Sequence, residues 1–343
     1  MKYAPVIIPT LCRYEHFKEC IESLSRCTWA EYTEVYVGLD YPAKESHWEG
    51  YKKIKSYLEG CGDMNFKKLH VIVRPYNYGA YNTTNEISNS DDLEKRIFDK
   101  YDRYIFSEDD NVFSPDFLEY IDKGLEKYEN DDSVYAIVGY CHPYPFEYKD
   151  NNSFHHQTDF SAWGYGVWTA KESAAQDEYS NILFKHPHRI KNIKKLLPFG
   201  YNRVLDFLIE SLRSSHEMKI DNDISTYLQL TGKTVIVPTM SKVRNIGWDG
   251  SGQSKAGIRK EDKKISAGHN YQKIDEGQSF DFEGDPWAYF DENNRIAAEY
   301  SDGKISLTTF LRQVSVITLK TIVKKIIRWD KIKEERNKKH AMQ

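Results

Sequence analysis

Between Ala4 and Val138 the chain alternates short apolar runs with amphipathic stretches, and this alternation limits its possible folds more than any other feature. Ala4 to Pro9 is an apolar run closed by proline, and Tyr14 to Arg26 then spaces Phe17, Cys20, Ile21 and Leu24 at helical intervals. Val35 to Leu39 reads as a second strand, and Trp48 to Leu58 as a second helix with Ile54 and Leu58 on one face. Leu69 to Val73 is a third strand, followed by a turn at Asn77–Gly79 and a helix from Leu93 to Tyr101. Tyr104 to Phe106 is a fourth strand, ending in Glu108, Asp109 and Asp110. Ser114 and Pro115 then open another helix, with serine as cap and proline in the first turn, and Val134 to Val138 is a fifth strand. Such alternation predicts an α/β fold with a parallel sheet covered on both faces. At 343 residues the chain is long enough for one large α/β domain and an appendage.

In sheets of this kind ligands bind at the carboxyl ends of the strands. Asp40 and Glu108–Asp110 lie just past strand ends and Arg74 directly follows Val73, so they should converge on one edge. No GxGxxG or GxxxxGK[ST] follows any strand, which removes the main support for a dinucleotide or P-loop site. The second half is less regular. Phe160 to Thr169 is rich in aromatics and glycine, Val204–Leu212 and Asp223–Leu230 read as helices, and Thr234–Pro238 as a closing strand. Asn245 to Gly252 is rich in turn formers, residues 253–303 look loop-dominated, and there is no internal repeat.

Composition is that of a globular protein, 40% hydrophobic and 29% charged. Tyrosine is frequent, and Tyr76, Tyr78, Tyr81, Tyr140, Tyr144, Tyr148 and Tyr165 crowd the segments of interest. Rings with hydroxyl tips suit sugar faces and half-buried positions alike. Cys12, Cys20, Cys27, Cys61 and Cys141 are odd in number and lack metal-ligand spacing, which points to free thiols in a reducing, cytoplasmic compartment. Neither a signal-peptide core nor a run near the roughly 20 apolar residues of a membrane span is present. Sequons at Asn82 and Asn151 are short enough to arise by chance.

Three consecutive carboxylates after a strand repel one another, and a proton or cation must relieve them. A divalent metal bridging the diphosphate of a nucleotide sugar would do so and would also neutralise the departing diphosphate. The plain alternative is a solvated acidic turn that caps the helix after Ser114.

Residues Ile105 to Tyr120 resemble the acidic signature of GT-A glycosyltransferases: a strand, Glu-Asp-Asp, a short apolar step, then Pro115-Asp116-Phe117 opening a helix. The similarity is strongest to N-acetylglucosaminyltransferase I-like enzymes and bacterial polysaccharide glycosyltransferases. It implies a Rossmann-like, mixed and mainly parallel sheet flanked by helices. The donor half would span about 1–140, the acceptor half about 141–303, and a basic helical extension 304–343. It also implies that Asp110 binds Mn²⁺ or Mg²⁺, that Asp109 contacts the donor sugar or ribose, and that Glu108 supports them. Pro9 to Arg13 and the helix after it are similar to the family's opening strand, which places Arg13 on the donor diphosphate. Asp40 falls where the family carries an aspartate that reads uracil, and Arg74 with Asn77–Gly79 matches a donor-side turn.

Ser161 to Trp168 resembles the segment that shapes the acceptor side, implicating Trp163, Tyr165 and Trp168; the alternative is a strand with core tryptophans. An inverting transfer needs a general base for the acceptor hydroxyl. The resemblance puts it at Asp223, with Asp221 as second choice and a helix N-cap as the bland role for either. Arg244 to Gly252 is similar to a bacterial loop that continues into a histidine, and it places Trp248 and Asp249 on the acceptor side. Here Gln253–Lys255 follow instead, leaving the metal site short of that ligand unless His269 replaces it by another path.

The net charge of −4 conceals an asymmetry. From Lys304 onward eleven Lys/Arg face three acids, so a tail of +8 follows a body of −12. Ser306 to Trp329 reads as a basic amphipathic helix, and residues 306–339 are suited to an anionic membrane surface or to packing on the acidic body. Confinement of positive charge to one tail argues against nucleic acid. The sequence thus predicts an inverting hexosyl- or N-acetylhexosaminyltransferase using a nucleotide sugar, expected to be a UDP-sugar. Its acceptor would be a glycan or lipid-linked saccharide of surface-polysaccharide synthesis. A non-catalytic, membrane-associated carbohydrate-binding protein is the rival.

Overall fold

The computed structural model describes residues 1–60, 64–79, 88–185, 190–211, 218, 221–252, 269–270, 272–277, 279–300 and 305–319. Cys61, Tyr81, the Asn82 sequon, Gln253–Lys255 and the tail beyond residue 319 lie outside these ranges. The fold is α/β, with a mixed, mainly parallel eight-stranded sheet flanked by helices. Its strands are β1 (Val6–Thr10), β2 (Glu34–Leu39), β3 (Lys68–Val73), β4 (Arg103–Phe106), β6 (Val134–Val138), β7 (Ser153–His156), β8 (Tyr165–Trp168) and β9 (Thr234–Pro238). They are ordered β3-β2-β1-β4-β8-β6-β9-β7. Strands β1, β4, β6 and β9 are buried on both faces, which is why they read as continuous apolar runs. Edge strand β3 alternates instead, leaving Val71 and Val73 exposed.

The order of the strands creates the site. From β1 the chain passes to β2 and β3 on one side, then returns to place β4 parallel to β1 on the other. The carboxyl ends of β1 and β4 therefore flank a topological switch point, where loops diverge and leave a crevice. Strand β8 runs antiparallel between β4 and β6, pairing Tyr165 with Phe106. Its amino-terminal approach, Ser161–Gly164, consequently reaches the same edge.

Helices α1 (Tyr14–Ser25), α2 (Trp48–Gly60), α3 (Asn89–Phe98) and α4 (Phe117–Lys127) follow β1, β2, β3 and the short strand β5 (Asn111–Phe113). Helix α2 approaches so closely that a Cβ on Gly50 would overlap the carbonyl oxygen of Cys12. Helix α3 starts four residues before its first apolar position, because Ser88 and Asp91 form a reciprocal capping box. Ser114 does not cap α4. Residues Asn111–Phe113 form β5, paired antiparallel with β10 (Val243–Asn245), and the Ser114 N–H extends this pairing to the Lys242 carbonyl at 2.8 Å. The Ser114 hydroxyl donates to Asp116 instead, at 2.8 Å. Within the region expected to be loop, Phe290–Tyr300 is a helix that buries Asn293, Ile296 and Ala297.

Two compact units result, one of residues 1–175 and 219–297, the other of 176–218 and 298–343. The first holds the sheet. In its described residues the second is helical: it contains most of α5 (Thr169–Lys185), α6 (Ile190–Leu196), α7 (Tyr201–Glu210) and a helix over 307–319, with Tyr201 stacked on Phe310 at 5.3 Å. Among the described residues no helix is long and apolar enough to cross a membrane.

Candidate active site

The acidic triplet is drawn inward. Asp109 and Asp110 are only 6% and 5% exposed, and Arg13, just before α1, bridges them. Its Nη1 donates to Asp110 Oδ2 at 2.6 Å and its Nη2 to Asp109 Oδ1. Thr10 Oγ1, from the end of β1, donates to Asp109 Oδ2 at 2.8 Å, and Asn245 Nδ2 donates to Asp110 Oδ1 at 2.6 Å. Buried carboxylates need such partners, since desolvation otherwise penalises each charge severely. A solvated capping turn does not describe this arrangement. Burial opposes the charge on Arg13, but Asp109 and Asp110 outweigh it and hold the guanidinium pKa above its ordinary value. Burial raises Asp110 even against the opposing pull of Arg13.

Glu108 and Asp221 extend the acidic edge. Asp221 opens α8 (Asp221–Thr231), and its Oδ2 accepts from the Ala162 N–H at 3.3 Å. Burial pushes its pKa up to about 6, the Ala162 bond opposing and Asp223 adding to the rise. Glu108 is held well above the usual carboxylate range by burial and by the like charges of Asp110 and Asp221. Asp223 is 5% exposed, one step further into the helix.

The turn-rich loop after β10 covers the triplet. The Ile246 N–H donates to the Asp110 carbonyl at 2.9 Å, and Gly247 N–H to Asn245 Oδ1 at 3.1 Å. A Cβ on Gly247 would overlap the Asp110 carboxylate, so only glycine lets the backbone pass. Asp249 pairs with His16 of α1 at 3.1 Å and accepts from Ser251 N–H at 2.8 Å.

On the other side of β1, Asp40 and Arg74 are enclosed by the chain itself. Asp40 Oδ1 accepts from the N–H groups of Tyr41 and Tyr78 at 2.8 and 2.7 Å. Its Oδ2 accepts from Gly79 N–H at 2.8 Å and Asn77 Nδ2 at 3.1 Å. Arg74 is spent on Asn89 Oδ1 (2.8 Å), the Asn89 carbonyl (3.2 Å) and Asp92. Arg74 therefore ties the end of β3 to α3 rather than presenting a guanidinium to a ligand, and Asp40 holds a turn.

Four rings form a wall beside Gly247 and Ala162. Trp163 and Trp248 meet at 89° with centroids 6.3 Å apart. His269 stacks on Trp248 at 4.6 Å, and its Nδ1 lies 2.5 Å from the hydroxyl of Tyr140. Tyr140 packs edge-on against Trp163 at 4.7 Å. Asn270 clamps the Trp248 backbone in both directions, at 3.2 and 3.1 Å. Trp168 belongs to the core instead, 4% exposed, its indole N–H on the Leu125 carbonyl and Lys171 over its ring at 3.8 Å. Tyr165 is likewise buried, against Phe106 and Phe160. Strand alternation separates these two from Trp163, which precedes the strand.

Thr10, Asn245 and Asn270 escape sequence reasoning, and Tyr140 stands out there only as one of the crowded tyrosines. Tyr140 and Asn245 follow or end strands at the edge that carries the site, which is a usable signal; Asn270 has none. Among the described residues no group of three or more His, Cys, Asp or Glu could hold a metal ion.

No protein-family model and no curated protein matches the chain. Solved structures similar to it include S. aureus TarS 1–349 in complex with UDP-GlcNAc, 12% identical, covering 49% of this chain and 46% of that one with a TM-score of 0.35. TarS 1–349 in another crystal structure is 11% identical over 71% of this chain and 60% of its own, TM-score 0.38. The mannosyltransferase PcManGT from Pyrobaculum calidifontis, in complex with GDP-Man and Mn²⁺, is 11% identical over 48% and 44%, TM-score 0.33. The chain spans about half the length of these structures. Likeness at this level assigns no residue a role, and the chemistry below is argued from the geometry.

Proposed function

We propose that the chain is a glycosyltransferase that takes its sugar from a nucleotide sugar, a UDP-sugar in the first instance, and inverts the anomeric carbon. The observation that carries this reading is the bridge from Arg13 to Asp109 and Asp110 at the β1–β4 crevice, with Asp221, which accepts from the Ala162 N–H, as the further carboxylate the reading invokes. Arg13 is engaged by both acids here, and its guanidinium would fork a diphosphate on exchanging them for the phosphate oxygens. A carboxylate poised near pH 6 is matched to general-base work at neutral pH. In the reaction Asp221 takes the acceptor hydroxyl proton as that oxygen bonds to the anomeric carbon. The bond from that carbon to the diphosphate oxygen breaks, and Arg13 meets the charge that develops. Asp221 is preferred to Asp223, because its carboxylate touches the segment that leads to Trp163.

A divalent cation fits this site in a limited way. Asp110 would hold it together with diphosphate oxygens, as Mg²⁺ and Mn²⁺ sites with one or two carboxylates do. When bound, the cation would neutralise charge on the departing diphosphate. Asp110 is engaged by Arg13 and Asn245, so binding requires that guanidinium to turn toward the diphosphate. The acceptor would be a saccharide, free or lipid-linked, against Trp163 and Trp248, with Asp249 at the rim; a hexosyl or N-acetylhexosaminyl transfer in surface-polysaccharide synthesis suits such a site. Peripheral attachment to the inner face of a membrane is supported by apolar side chains exposed beside lysines in the second unit, such as Ile190, Lys191 and Lys194.

The deciding experiment incubates the protein with a panel of nucleotide sugars, with Mn²⁺ or Mg²⁺ and with EDTA, and follows nucleotide release. Release from at least one donor, lost in Asp110→Asn and Asp221→Asn variants that stay folded, is expected. Release unaffected by both substitutions, or no stabilisation by any donor, would refute the reading.

A further inference from the structure

Beyond the crevice, the segment that leaves β6 sets a ring at every second residue: Tyr140, His142, Tyr144, Phe146 and Tyr148, with Pro143 and Pro145 among the residues between. The Tyr144 N–H donates to the His142 carbonyl at 2.7 Å, and the Phe146 N–H to the Tyr144 carbonyl at 2.8 Å. Each bond closes a three-residue turn centred on a proline, whose fixed φ suits the inverse γ form. Two such turns in succession repeat every two residues and put alternate side chains on one side. Pro143, Pro145 and Glu147 accordingly stand out to solvent, while His142, Tyr144 and Phe146 are half-buried and Tyr148 is 52% exposed.

The row is held at both ends. Ser241 Oγ accepts from the Cys141 N–H at 3.0 Å, and Gln272 Nε2 donates to the Cys141 carbonyl at 2.6 Å. Asn293, fully buried, accepts from the Glu147 N–H at 2.7 Å and donates to the Glu147 carbonyl at 2.8 Å. Between these anchors the rings touch in sequence. Tyr140 meets His142 edge-on at 5.1 Å, His142 stacks on Tyr144 at 5.0 Å, and Tyr144 meets Phe146 at 5.6 Å. Tyr140, the first of them, is also part of the wall with Trp163 and His269. Beside Phe146, at 5.6 Å, lies His156 of β7, 2% exposed. Burial keeps this imidazole neutral, its pKa held down to about 3. Its Nε2 accepts from the Asp159 N–H at 3.1 Å, so the ring hydrogen sits on Nδ1, which finds no acceptor among the described residues. A buried donor left unpaired is costly, and a hydroxyl that reached it would offset that cost.

We infer that the rings from Tyr140 to Tyr148 form a track for a saccharide chain, so that the acceptor is an oligosaccharide with its reacting end at Trp163 and the rest laid toward Tyr148. The inference rests on the proposed glycosyltransferase reading and names its acceptor class. Tyrosine rings tipped with hydroxyls offer an apolar face and a polar edge, as sugars do. Four consecutive rings, each a ring-width from the next, offer more surface than one sugar can cover. Because prolines and anchored backbone hold the row in place, little ordering is left to oppose binding.

Calorimetric titration of the full chain with oligosaccharides of one, three and five residues tests this, using β-1,4-linked N-acetylglucosamine, β-1,4-linked glucose and α-1,4-linked glucose. In at least one series affinity should rise about tenfold or more from one residue to five, as two or three aromatic contacts would give. Tyr148→Ala should weaken the longest ligand about threefold to tenfold and the single sugar little, with Tm unchanged because the ring is exposed. Tyr144→Ala combined with Tyr148→Ala should abolish the gain with length. Affinity that does not grow with length in any series, or a gain that survives the double variant, would overturn the track. Nucleotide release from nucleotide sugars, followed without any oligosaccharide, separates the two readings. Release without a gain with length sinks the track alone, whereas a gain with length and no release from any donor leaves the track and removes the transferase.

Discussion

Two carboxyls with raised pKa carry opposite consequences for pH. Asp221, pushed up to about 6, must be ionised to accept a proton, so transfer should rise as pH passes through that value. Asp221→Asn should lower the transfer rate by about 10²–10⁴-fold at neutral pH and abolish this acid limb, measured as kcat across pH 5–8. Asp223→Asn, if Asp221 is the base, should keep the limb. Asp122 does no chemistry. Its Oδ1 accepts from the Ala4 N–H at 3.0 Å, its Oδ2 finds no partner in the described residues, and burial raises its pKa to about 8. The folded chain then binds a proton that the unfolded chain, with its ordinary carboxyl, releases above about pH 4. Stability from this group is full below that pH and declines as pH rises toward 8. Asp122→Asn should thus stabilise the protein at pH 8 by on the order of a few kcal/mol and progressively less toward pH 5, as read from Tm at each pH.

At the scale of elements, glycine decides how closely the loops approach the acids. Gly247→Ala would force the loop off Asp110 and pull Asn245 away from it. A stability loss of about 1–3 kcal/mol by urea unfolding is expected, with a larger fractional loss of transfer than of fold. Gly50→Ala would push on the Cys12 carbonyl, one residue before Arg13, and should cost a similar ~1–3 kcal/mol while weakening nucleotide binding. These contacts also mark the limit of what sequence reveals. The long buried strands were legible, β6 and β9 to the residue, because continuous apolar runs bounded by polar segments leave few other folds. Strands β5 and β10, of three residues each, were not, since a pairing so short has no periodicity and is set by its distant partner. The polar first turn of α3 was missed for the related reason that a capping box, not an apolar face, begins it. Likewise, the convergence of Asp40, Arg74 and the triplet on one edge followed from strand ends. Whether each has a free valence depended on Asn77, Asn89, Asp92 and Thr10, whose partners no spacing rule selects.

For the molecule as a whole, charge and exposed apolar surface are distributed unevenly. The tail from Lys304 carries eleven Lys/Arg against three acids, and the rest of the chain is acidic. The described part of that tail is a helix on which Leu307, Leu311 and Leu319 are 51%, 54% and 66% exposed, while Phe310 turns to Tyr201 within its own unit. α6 of the same unit exposes Ile190 with Lys191, Lys194 and Lys195. Apolar side chains exposed beside lysines are what an anionic lipid surface rewards, the chains entering the interface and the ammonium groups meeting headgroups at about 1 kcal/mol each. An acidic body is repelled by the same surface, so attachment should need both contributions. Co-sedimentation with vesicles of phosphatidylcholine and phosphatidylglycerol should therefore retain the protein, and vesicles of phosphatidylcholine alone should not. Raising salt from about 0.1 to 1 M shortens the screening length from about 10 to about 3 Å and should release most of it. Leu307→Asp with Leu311→Asp should release it at low salt while leaving Tm unchanged, because neither side chain is buried. Equal binding to both kinds of vesicle, or retention of the double variant, would count against the membrane and favour packing of the basic tail on protein.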